Sequence, residues 1–122
     1  MKRRLLVGVV LAGATLALAA QTPAMSAPKL KGTVGPGFTI VLKDSTGKKV
    51  KSLKAGKYTF VVSDKSSIHN FVLEKKNSKF EKEITTVSGT GTKTRTVTLT
   101  KGKWHVYCAP HESSMNQNFT VT

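Results

Sequence analysis

The 122-residue chain has one cysteine, three histidines and only six acidic residues. Each scarcity excludes something. With Cys108 alone, no intramolecular disulfide can form. Aromatic residues make up 7% of the chain and do not interleave with the lysines, so the stacking platforms of a single-strand nucleic-acid binder are missing. No serine, histidine and carboxylate group suggests a hydrolytic triad. After residue 20 no run is long and apolar enough to span a membrane. No stretch carries a sustained helical repeat; at most, Lys79 to Ile84 is expected to form one turn.

The N-terminus reads as an export signal. Lys2, Arg3 and Arg4 precede an apolar run from Leu5 to Ala20. Small residues follow, with cleavage sites of small-x-small type at Ala17-Leu18-Ala19 and Ala24-Met25-Ser26. This predicts a signal peptide over 1–27, cut within about 19–27, and one mature domain over 28–122. Removing Lys2, Arg3 and Arg4 from the 20 basic residues leaves 17 against 6 acidic, a mature charge of about +11. Export argues against nucleic acid as the target. The basic surface suits an acidic redox protein or an anionic cell envelope, in the periplasm or outside the cell.

Period-two alternation dominates the mature region. Phe38, Ile40 and Leu42 share one face of a strand, as do Tyr58, Phe60 and Val62. Trp104, Val106 and Cys108 share another, with His105 and Tyr107 opposite. Val97 and Leu99 alternate with Thr96 and Thr98, and Phe119 and Val121 close the chain. Turn signals recur at Asp44-Ser45-Thr46-Gly47, Ala55-Gly56, Ser88-Gly89-Thr90-Gly91 and Lys101-Gly102. The pattern predicts an all-β, antiparallel Greek-key β-sandwich.

The run Tyr107-Cys108-Ala109-Pro110-His111-Glu112-Ser113-Ser114-Met115 places a thiolate, an imidazole and a thioether on one short loop. A lone thiol in an exported protein risks oxidation unless something occupies it. With a second histidine, these are the donors of a mononuclear blue-copper site: three strong ligands and a weak axial thioether. His69, in Ile68-His69-Asn70-Phe71, is the candidate for that histidine. It shares a face with Phe71 and Leu73, so it points inward, as Cys108 does. His105 lies on the face opposite Cys108 and is expected to be exposed and not a ligand. The predicted metal residues are His69, Cys108, His111 and Met115. Pro110 restricts the loop through its fixed φ, and Asn70 is placed to tie the two ligand segments together.

These residues resemble the cupredoxins of plastocyanin and pseudoazurin type. The resemblance runs from about Gly37 to Thr122. It rests on His69-Asn70-Phe71, on Gly102 to Cys108, on Cys108-Ala109-Pro110-His111, on Met115 and on Phe119-Thr120-Val121. It implies one copper ion per chain, cycling between Cu(I) and Cu(II), with Met115 axial. It also implies that Tyr107 holds a position on the path to a redox partner. The chain departs from that pattern at three points. Three residues separate His111 from Met115, against four in plastocyanin-like and two in amicyanin-like proteins. Gln117 stands where the family usually has glycine. Glu112 puts a charge beside His111.

The leading expectation is an exported, monomeric one-electron carrier and not an enzyme. Further catalytic copper centres need more histidines than His105 can supply, and a dinuclear copper centre needs two cysteines. The alternatives are copper binding for delivery, storage or protection without a redox partner, and a metal-free Ig-like interaction sandwich. The apolar surface at the metal pole is assigned to Ala109, Pro110 and Met115.

Overall fold

The computed structural model describes residues 12–15, 17 and 26–122. Most of the expected export signal lies outside the described residues. No helix among the described residues is long and apolar enough to cross a membrane.

Among the described residues, nine strands form two layers. In the first sheet, β1 (Lys29–Val34) lies between β2 (Ile40–Lys43) and β4 (Gly56–Asp64), and β7 (Gly91–Leu99) closes the far edge. In the second, the order is β3 (Ser52–Leu53), β9 (Asn116–Val121), β8 (Gly102–Tyr107), β5 (Phe71–Lys75) and β6 (Glu81–Thr85). The sandwich is therefore as expected, but it is not purely antiparallel. β1 runs parallel to β4, and β3 parallel to β9. The remaining ladders are antiparallel.

Alternation places one face of each strand in the core. Leu30, Val34, Leu42, Phe60, Val62, Val97 and Leu99 come from the first sheet. Phe71, Leu73, Ile84, Trp104, Val106, Phe119 and Val121 come from the second. Burial of these side chains is the main force joining the layers. Gly32 permits a close approach between them: a Cβ there would sit 2.8 Å from the Phe71 ring.

Two local expectations fail. Phe38 is not a core residue of β2. The chain turns through Gly35 and Gly37, both at positive φ, and β2 begins only at Ile40. Phe38 is left 61% exposed. Lys79 to Ile84 does not form a helical turn, because Glu81–Thr85 pairs with β5. The reversal before it is made at Asn77, which takes a left-handed φ of 57°, a conformation Asn tolerates.

One buried amide joins the layers. Gln117 on β9 accepts from Leu42 N through Oε1 at 2.9 Å. Its Nε2 donates to Leu42 O and Val50 O, both at 2.9 Å.

Candidate metal centre

Register builds the site. β5 and β8 pair antiparallel with Val72 opposite Tyr107 and Leu73 opposite Val106. Continuing that register past the strand ends brings the segment before β5 against the segment after β8. His69 and Asn70 thereby meet Cys108 and Ala109. Asn70 Oδ1 accepts from Ala109 N at 2.7 Å, and its Nδ2 donates to Glu83 Oε2 at 2.8 Å. Asn70 is 1% exposed. It ties the two segments as the sequence suggested, with Glu83 as an anchor the sequence did not reveal.

The loop from Cys108 to Met115 is closed by its own backbone. Cys108 N donates to Met115 O at 3.0 Å, and Met115 N donates to His111 O at 2.8 Å. Residues Ala109–His111 make one 3₁₀ turn with Pro110 in its first positions, where a missing N–H costs nothing. His111 N donates to Cys108 O at 3.0 Å.

Three donor atoms converge. His69 Nδ1 and His111 Nδ1 are 3.0 Å apart. Cys108 Sγ is 3.5 Å from the first and 3.8 Å from the second. Cys108 is fully buried, His69 is 1% exposed and His111 is half-buried. Donors that bind one ion at about 2.0–2.3 Å must stand about 3–4 Å from one another, and these do. A buried thiol facing two imidazoles is a soft, nitrogen-rich set of the kind that holds copper. The residues present therefore fit the metal. Met115 is 1% exposed and is fastened to Cys108 and His111 through the backbone bonds above. It is core rather than apolar surface, which corrects the expectation for the contact patch. Ala109 and Pro110 are exposed, as expected.

Phe38, not Met115, supplies exposed apolar surface at this pole. Its ring stands edge-on to His69, with centroids 5.1 Å apart, and to His111, at 4.9 Å. The only prior signal was its position just after Gly35-Pro36-Gly37, which forces the chain to turn before β2. Ile68, beside His69, is 54% exposed.

The outer face of the second sheet carries a different chemistry. His105 is expected to be exposed, but it is 2% exposed. It faces outward from β8, and Tyr107, Glu74 and Glu112 cover it. It is not among the three converging donors. Tyr107 is also buried, and its hydroxyl donates to Glu81 Oε1 at 2.7 Å. Burial, together with the Glu81 bond and nearby glutamates, pushes this phenol above its usual range.

Solved structures share this fold. The fold is similar to that of rusticyanin, a copper protein, with a TM-score of 0.57 at 18% identity over 77% of this chain and 76% of that one. It is similar to auracyanin A, a "blue" copper protein from Chloroflexus aurantiacus, with a TM-score of 0.56 at 16% identity over 80% and 100%. A Cu(I) amicyanin variant gives 0.50 at 10% identity over 78% and 83%. At these identities the likeness concerns fold. No curated protein matches the sequence. A family profile described as copper binding proteins, plastocyanin/azurin family, does match, over residues 45–122. That span contains β3 to β9 and all three converging donors. The chain thus belongs to the plastocyanin/azurin family of copper-binding proteins, and its cofactor is one copper ion.

Proposed function

We propose that the protein is an exported one-electron carrier, in which His69 Nδ1, His111 Nδ1 and Cys108 Sγ would hold copper and the Met115 thioether would serve as a weaker fourth donor. The observation that carries this reading is the 3.0–3.8 Å convergence of one thiol and two imidazoles from two hydrogen-bonded segments. When bound, copper supplies a reversible one-electron couple. The chain's contribution is to keep the donors where they are in both oxidation states. Asn70 fixes the spacing of the two segments. The Cys108–Met115 backbone bond closes the loop, and Pro110 stiffens it. Burial of Cys108 and His69 keeps water from the thiolate.

His111 is the route to a partner, because it is the most exposed of the three donors. Phe38 and Ile68 give that pole an apolar surface. The Tyr107 side is less suitable for an acidic partner. All four glutamates of the chain (Glu74, Glu81, Glu83 and Glu112) lie on or beside that face. The lysines elsewhere carry the steering field, which is screened over roughly 8–10 Å at physiological salt. The signal over 1–27 directly precedes β1, which suits a domain of 28–122 acting in the periplasm or outside the cell.

The test is to add Cu(II) to the mature domain and record the visible spectrum. An intense thiolate-to-copper band that Cys108→Ser abolishes supports the ligand set; a band that survives the substitution overturns it. Stopped-flow electron transfer to an acidic and a basic cytochrome across a salt series tests the carrier role. A faster reaction with the acidic partner that slows with salt supports it. Copper binding without measurable transfer to either favours delivery or storage.

A further inference from the structure

We propose that Glu74, His105 and Glu112 form a second metal site, for a zinc-like divalent cation, on the outer face of the second sheet. His105 Nε2 lies 3.6 Å from Glu74 Oε2 and 3.5 Å from Glu112 Oε1. The three donor atoms all fall within 4.8 Å of one another. The two measured separations exceed the usual N–H···O range of 2.7–3.2 Å. They match the edge of a tetrahedron whose centre is about 2.0–2.2 Å from each donor, the bond length zinc makes with imidazole and carboxylate.

His105 supplies the independent observation. Its side chain is 3% exposed, and Nε2 is aimed between two carboxylates, farther from each than an ordinary hydrogen bond. An imidazole held this way has lost its water without a full replacement, which is costly. A cation bound there would satisfy Nε2 and relieve the repulsion between Glu74 and Glu112.

The scaffold is fixed where it needs to be. Glu74 and His105 are register partners across β5 and β8, so the sheet itself sets their separation. Glu112 comes from the middle of the metal loop, directly after His111, and its side chain is 57% exposed. The site is thus reachable from solvent on the Glu112 side. It has no sulfur donor. That separates it chemically from the Cys108 site and suits Zn²⁺ rather than Cu(I).

The test is calorimetric titration of Zn²⁺ into the copper-loaded protein, with the visible band followed in parallel. The expected result is one equivalent bound with the band intact. Glu74→Gln should weaken zinc at least tenfold while leaving the band unchanged. Glu112→Gln, on an exposed loop, gives the same readout should Glu74→Gln disturb the sheet. No saturable zinc binding would overturn the proposal. So would wild-type affinity in both variants, or zinc uptake that proceeds only as the band is lost.

Discussion

Replacing Gln117 by methionine should destabilise the domain by about 3 kcal/mol, through hydrogen bonds alone. Methionine nearly matches glutamine in volume, so the change leaves little cavity. It removes all three bonds that the amide makes. Leu42 O keeps a second donor, Val50 N at 2.9 Å. Leu42 N and Val50 O lose the partner described here, in an environment where Gln117 is only 5% exposed. An orphaned buried backbone group costs about 1–3 kcal/mol, so two cost about 2–6; the more apolar side chain offsets part of that. A loss of 3 kcal/mol lowers the folded-to-unfolded ratio roughly 150-fold and the melting temperature by about 12–24 °C. Urea unfolding of the copper-free domain reads this without the added stability that ligand binding brings. The slope against urea should be unchanged and the midpoint lower. A loss below about 1 kcal/mol would refute the argument, because it would mean that water or strand movement replaces the lost bonds.

Three other outcomes are expected. Asn70→Ala removes the bond to Ala109 N and should weaken copper about 10–100-fold in a competitive chelator titration. Phe38→Ala should hasten bleaching of the visible band by a chelator several-fold, because it opens the edges of both imidazoles. Since Phe38 is 61% exposed, stability should move by less than about 1 kcal/mol. Asp44 is held below the ordinary aspartate range, chiefly by the Thr46 hydroxyl and also by the backbone of Thr46 and Lys48. Its turn is therefore favoured above the unfolded-state value and loosens as pH falls through the folded one. Carboxyl NMR should show that low midpoint, and Thr46→Val should raise it.

Strand alternation made much of this structure readable. The inward faces of His69 and Cys108 followed from Phe71, Leu73, Trp104 and Val106. The parallel pairings of β1 with β4 and β3 with β9 were not readable, because they join strands with no turn between them to mark the contact. Parity correctly turned His105 away from Cys108, but facing away from the core is not the same as facing water. Only the fold brings Glu74, Tyr107 and Glu112 over it. Phe38 was misplaced because its chemistry suits a core, whereas the backbone turn at Gly35 and Gly37 decides its direction. Gln117 read as a missing glycine and a changed turn. Its partners Leu42 and Val50 are 75 and 67 residues away, beyond the reach of any local pattern.

The closed loop from Cys108 to Met115 has a consequence for the order of assembly. Three of the proposed donors lie within eight consecutive residues, so a chain that has not yet folded already carries most of a metal-binding unit. His69 stands 39 residues before Cys108 and arrives only when β5 has docked on β8. Bridging such a separation is slow compared with closing a short loop. An ion captured early would sit in an incomplete shell, and the full spectrum would develop as the β5–β8 register locks. The visible band would then serve as a clock for the pairing of two particular strands, read without any added label.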